Sequence, residues 1–129
     1  MLFANSHIAS FAIVEDDPCM AEMVSAMLGS ADVDVEVFPL GSALLKSPNL
    51  QWFKAIILDL YLPDIDGFEL MNTLAADAEG MPMVLMSGQD LAVVRAAKIY
   101  GNGLGLRVRG ALTKPFTKEE LFASLGLLR

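Results

Sequence analysis

Apolar runs alternate with stretches of helical period along the whole chain. Ala55-Ile56-Ile57-Leu58 runs unbroken into Asp59. A short apolar run bounded by turn residues reads as a strand buried on both faces of a parallel sheet. Pro63 and Gly67 punctuate the segment that follows it. Ile8 to Val14 has the same design and ends in Glu15-Asp16-Asp17-Pro18. Asp17 suits a helix N-cap and Pro18 the first helical position. Met20, Met23, Val24, Met27 and Leu28 follow at helical spacing, with Gly29 as a stop; this stripe reads as core packing. Val33, Val35 and Val37 alternate with Asp34 and Glu36, which predicts a half-exposed edge strand.

The pattern then repeats. A short helix is expected over Ser42 to Lys46, and the buried strand over Ala55 to Asp59. A helix follows over Gly67 to Ala76, then a strand over Met83 to Met86 that ends in Ser87-Gly88. Asp90 to Tyr100 reads as a helix, after which Gly101, Gly103 and Gly105 are expected to loosen the chain. Leu106 to Thr113 reads as the last strand, ending in Lys114-Pro115-Phe116. Thr117 with Glu120 forms a capping-box pattern, and Leu121, Phe122, Leu125 and Leu128 give the closing helix an apolar face. Five strands alternating with five helices predict an α/β domain, a parallel sheet with helices on both faces.

Composition narrows the function classes. The 129 residues suit one domain with a sizeable core, and 54% apolar content excludes a disordered segment. No apolar run approaches the roughly 18 residues needed to span a membrane. Met1 to Ser10 lacks a basic segment followed by a long apolar core, so no secretory signal is expected. The single Cys19 cannot form an internal disulfide, which suits a reducing cytoplasm. A net charge of -7 argues against nucleic-acid binding, and Arg107-Val108-Arg109 is too small a basic cluster to reverse that. The lone His7 lies in a polar lead and reads as a surface residue.

Four strand ends carry distinctive polar groups: Glu15-Asp16, Asp59, Ser87 and Lys114. A parallel sheet puts all its strand C-termini on one edge, where ligands bind in open α/β sheets. Alone, Asp59 reads as a carboxylate capping a turn. Gathered carboxylates repel one another, by roughly 4 kcal/mol for a pair at 4 Å and an effective dielectric of 20. A hard divalent cation such as Mg²⁺ suits oxygen-only ligands and would offset that repulsion.

The stretches AIVEDDP, IILDLYLPDIDGFEL, VLMSG and ALTKPF, in this order, resemble the receiver domain of two-component response regulators. The resemblance covers essentially residues 1–129 as a single receiver domain. It implies the flavodoxin-like doubly wound fold of the chemotaxis response regulator, five parallel strands in the order 2-1-3-4-5. It implies a phosphorylation-activated switch rather than an enzyme in the usual sense, one that catalyses only its own phosphorylation and slow dephosphorylation. In that scheme Asp59 is the phospho-acceptor, with Mg²⁺ held by Asp16 directly, by Glu15 through water, and by Asp59 and the backbone carbonyl of Tyr61. Ser87 is the switch hydroxyl and Lys114 the lysine that contacts the phosphoryl group; the Lys114–Pro115 bond matches one that is usually cis. Implied partners are a histidine kinase or phosphotransfer protein and an output domain or target. A homodimer through the helix 4–strand 5–helix 5 face also follows from the family.

The chain departs from the family's pattern in places. Glu15 replaces the commoner Asp, and Ala111 stands where many members carry a switch aromatic. With no aromatic lever at Ala111, the signal is expected to run through Ser87 and the helix over Asp90 to Tyr100. The interval from Ser87 to Lys114 is longer than usual, and the additional residues fall around Gly101 to Leu106. GLGLRVRGALTKPF resembles receivers joined to EAL-type cyclic-di-GMP phosphodiesterases. Tyr61 and Gln89 occupy positions that flank the hydrolytic water. A bulky Tyr61 covering that approach implies a long-lived phosphorylated state. Tyr61→Asn is then expected to speed loss of the phosphoryl group roughly tenfold, followed after removal of the donor; equal rates would show that Tyr61 does not gate the water.

Three other readings compete. An aspartyl-phosphate phosphatase often carries an Asp two residues after its nucleophile, where this chain has Tyr61. A pseudo-receiver acting as a phosphorylation-independent interaction module would not need the complete acid, Asp, Ser and Lys set. A flavin-binding flavodoxin would place hydroxyls and amides, not acids, after its first strand. A single-domain regulator and a piece of a longer protein both fit a chain ending at Arg129.

Overall fold

The computed structural model describes residues 10–88 and 90–127. His7, Ile8 and Leu128 of the readings above, and Gln89, lie outside the described residues. The strands are β1 (Phe11–Val14), β2 (Val35–Phe38), β3 (Ala55–Asp59), β4 (Pro82–Ser87) and β5 (Arg107–Thr113). They form one parallel sheet in the order β2-β1-β3-β4-β5. The helices are α1 (Pro18–Gly29), α2 (Gly41–Leu45), α3 (Gly67–Asp77), α4 (Leu91–Gly103) and α5 (Lys118–Leu125). Val24 and Leu28 of α1 and Leu121 and Leu125 of α5 pack on one face with Ile13, Ile57 and Met86. Leu44 of α2, Leu70, Met71 and Leu74 of α3 and Val94 and Ala97 of α4 cover the other, over Ile56, Leu58 and Leu85. Central β3 is buried on both sides, and Ile56, Ile57 and Leu58 are fully inaccessible. Each such side chain contributes about 1.5–3 kcal/mol by leaving water. The sheet's rigid centre therefore delivers Asp59 to its C-terminal edge.

Local chemistry sets the helix starts. The Asp17 carboxylate accepts the Cys19 N–H at 3.0 Å, with Pro18 opening α1. In α5 both halves of the capping box form: Glu120 N–H to Thr117 Oγ1 at 3.0 Å and Thr117 N–H to Glu120 Oε1 at 2.8 Å. At β2 the observed span starts and ends later than the alternation predicts. Asp32 turns the chain with a φ of 59°, and the Asp34 carbonyl accepts the N–H groups of Ser10 and Phe11. The strand then closes on buried Phe38, which meets Phe53 edge-on at 6.0 Å. A 3-10 turn over Leu50–Trp52 carries no sequence signal of its own.

The expectation for Gly101 and Gly103 is corrected by the structure. Both lie inside α4. A Cβ at Gly101 would sit 2.7 Å from Val108 Cγ2 and 3.1 Å from Met71 Sδ. The glycine is there because helix and strand approach closely, not because the chain is loose. Asn102 completes the junction: its Oδ1 accepts the Val108 N–H at 2.7 Å, and its Nδ2 donates to the Val108 carbonyl at 3.4 Å. Tyr100 ties α4 to α3, donating to Asn72 Oδ1 at 2.7 Å and stacking edge-on against Phe68. Only Gly105, with a φ of +97°, serves as a turn glycine after the helix.

Candidate functional site

The strand ends converge at the C-terminal edge of the sheet. Glu15 leaves β1 with its N–H donated to the Phe38 carbonyl at 3.0 Å, and its Oε2 accepts the Asp17 N–H at 3.1 Å. Asp59 ends β3, and its Oδ1 accepts the Tyr61 N–H at 3.0 Å. Oxygens of Glu15, Asp16 and Asp59 lie within 4.8 Å of one another. Glu15 and Asp59 are buried, whereas Asp16 is exposed. Lys114 reaches in from the end of β5, with Nζ 2.5 Å from Glu15 Oε1 and 3.1 Å from Asp59 Oδ2. Its own N–H donates to the Ser87 carbonyl at 2.8 Å, which joins the ends of β4 and β5. Ser87 is fully buried beside Thr113 in the sheet register. The Lys114–Pro115 bond is cis.

The remaining sequence-derived positions are dispersed around this cluster. Tyr61 is 48% exposed at its mouth and bridges backbone to backbone with Asp66. Ala111 lies opposite Leu85 on β5, half-buried against the core on the α4 side of the sheet. Gln89 lies outside the described residues.

The electrostatics follow from burial. Burial raises the Glu15 carboxyl above its ordinary value; the hydrogen bonds from Lys114 and Asp17 oppose this, and the Asp59 charge adds to it. For Lys114, burial is the largest single influence and pulls downward. The Glu15 and Asp59 hydrogen bonds and charges together outweigh it, so its ammonium holds its proton more tightly than usual. Lys114 therefore compensates the cluster only in part: two buried carboxylates and one exposed one face a single ammonium.

The donor set fits a hard cation. All three side chains offer carboxylate oxygen, without nitrogen or sulfur, within a span that one ion can bridge. Such a set suits Mg²⁺.

Residues 11–126 match the response regulator receiver domain family. The chain belongs to the response regulator receiver family. This receiver domain is 32% identical over 113 residues to the cell cycle response regulator CtrA of Brucella ovis, covering 88% of this chain and 47% of the relative. The chain thus spans about half the length of the curated relatives it matches. Among solved structures it resembles the Vibrio cholerae chemotaxis protein CheY4, at 28% identity and a TM-score of 0.75, covering 92% of this chain and 97% of that one. A CheY-like receiver from Methanospirillum hungatei shares the fold at 20% identity, with a TM-score of 0.76 over 90% of this chain and 89% of that one. No helix among the described residues is long and apolar enough to cross a membrane.

One residue of the receiver's edge escapes sequence reasoning. Asp64, in the β3–α3 loop, accepts the Gly41 N–H at 3.0 Å and the Ser42 N–H at 2.9 Å. The Ser42 bond is the chief reason its carboxyl is held below the usual range. An exposed Asp between Pro63 and Ile65 looks like ordinary turn chemistry. Nothing local reveals that it caps a helix more than twenty residues earlier.

Proposed function

We propose that this receiver accepts a phosphoryl group on Asp59 in the presence of Mg²⁺ and passes the change to a surface that a target reads. The observation that carries this is the meeting of Glu15, Asp16 and Asp59 within 4.8 Å, with Lys114 Nζ 3.1 Å from the Asp59 carboxylate. Glu15, Asp16, Asp59 and the Tyr61 carbonyl would hold the ion. When bound, Mg²⁺ supplies positive charge beside the transferring oxygens. An Asp59 oxygen attacks phosphorus in line; the bond from phosphorus to the donor breaks, and its electron pair leaves with the donor. Lys114, already on Asp59, holds charge on the phosphoryl oxygens. Ser87, at the end of β4, supplies a hydroxyl to them and leads directly toward α4. Tyr61, at the mouth, would slow the approach of the hydrolytic water together with Gln89.

A histidine kinase or phosphotransfer protein is the proposed donor. The output is a further domain or a separate target, with a cyclic-di-GMP phosphodiesterase among the candidates.

The test uses acetyl phosphate and Mg²⁺, then borohydride reduction and peptide mapping. One phosphoryl group per chain is expected, its reduced product at Asp59. Label on another residue, or none with Mg²⁺ present, would overturn the proposal.

A further inference from the structure

The β3–α3 loop carries the Tyr61 carbonyl, so whatever fixes this loop also sets one side of the proposed ion site. The loop's base is secured from within. The Leu60 N–H donates to the Met86 carbonyl at 3.1 Å, and Tyr61 bridges Asp66. Asp66 caps α3 by accepting the Phe68 N–H at 2.7 Å. Gly67 lies against the Leu60 backbone, where a Cβ would be 2.9 Å from the Leu60 carbonyl oxygen.

The outer part of the loop, Leu62 to Ile65, is held by a different element. Asp64 takes both N–H groups that open α2, those of Gly41 and Ser42. Directly beneath, Gly41 leaves no room for a side chain. A Cβ there would lie 2.3 Å from Ile65 Cγ2 and 3.4 Å from Leu62 Cδ1. Ile65 Cγ2 branches from a stiff β-carbon, so it cannot swing aside as a chain end could. Polar and steric contacts thus act at the same junction. Each requires the loop to sit flush on α2.

Resting on the reading of the site given above, we propose that Asp64 and Gly41 are positioning residues that latch the β3–α3 loop onto α2 and so hold the Tyr61 carbonyl in place for Mg²⁺. Neither residue touches the ion. Their effect is transmitted through the loop, as groups behind a metal's ligands commonly set its affinity. The latch also links the ion site to α2, beside the sheet's β2 edge and away from α4.

Mg²⁺ affinity measured by isothermal titration calorimetry on the full chain tests this, with metal-free thermal melts run in parallel. Gly41→Ala forces the loop outward without changing charge and should weaken Mg²⁺ binding by about tenfold. Adding Ile65→Ala removes the clashing methyl and should bring the affinity back to within about threefold of wild type. Asp64→Asn keeps one acceptor of the two and should weaken binding about fivefold, less than the roughly tenfold or more usual when such a group is lost outright. A Gly41→Ala protein that melts cooperatively at lower temperature yet binds Mg²⁺ like wild type would overturn the latch. If Gly41→Ala does not fold, wild-type affinity in Asp64→Asn does the same. Failure of the wild type itself to bind Mg²⁺ would instead sink the site on which the latch depends.

Discussion

Asp59→Asn should take up no phosphoryl group from acetyl phosphate and Mg²⁺ under conditions where intact-mass spectrometry shows one added to the wild type. The amide is isosteric but has no anionic oxygen to attack phosphorus. The loss should not come from unfolding. The substitution removes an attraction to Lys114 at 3.1 Å and a repulsion from Glu15 and Asp16 within 4.8 Å. These changes are of similar size and opposite sign, so unfolding free energy should stay within about 1 kcal/mol of wild type. The Tyr61 N–H can still donate to the retained side-chain oxygen, and Lys114 keeps Glu15. A phosphorylated Asp59→Asn protein would refute the assignment. An Asp59→Asn protein that failed to fold would show that the carboxylate is needed for the structure itself.

The second large effect is expected at Lys114. Lys114→Met keeps much of the aliphatic stem and removes the ammonium. Phosphorylation by acetyl phosphate should slow about a hundredfold, the usual loss when one preorganised charge-stabilising group is deleted. Without metal, Glu15 and Asp59 are left buried and uncompensated. About 2 kcal/mol of stability should go at pH 8, less than for a fully buried pair because Lys114 is part-exposed. The pH dependence has a definite sign. Glu15 already has a raised folded-state carboxyl value, so its contribution to stability is complete below 4.5 and is lost as pH rises through the folded value. Removing Lys114 raises that value further. The stability gap between variant and wild type should therefore widen from pH 5 to pH 8 in urea titrations, and Mg²⁺ should narrow it. A gap independent of pH and metal would show that Lys114 acts by packing alone.

Much of this molecule was legible as sequence because its signals are local. The apolar run before Asp59 reads as a strand covered on both faces, and it is one. Asp17-Pro18 and Thr117…Glu120 announce helix starts through bonds that span two or three residues. Alternation of strand and helix then dictates a parallel sheet, and a parallel sheet gathers its strand ends. What escaped depends on contacts distant in sequence. Gly101 looked like a break because a glycine's local preference is visible while the nearness of Val108 and Met71 is not. Asp64 looked like a turn residue because its partners, Gly41 and Ser42, meet it only after folding. The 3-10 turn at Leu50–Trp52 is a connector with no period to detect.

The junction at Asn102 changes how α4 can respond to anything at the strand edge. Its last turns are bolted to β5 through Val108 and to α3 through Asn72 and Phe68, whereas its first turn is held by the local cap of Asp90 on Ala92. Its side-chain hydrogen bonds to other elements are thus gathered at one end, while Val94 and Ala97 along its length are buried against the sheet. On the function proposed above, a displacement delivered from Ser87 would arrive at the end with fewer such ties. Leu91 lies at that end, and the more exposed Ile99 lies near the tied one. Gly101 and Gly103, expected to loosen the chain, thus lie where the helix is tied to β5.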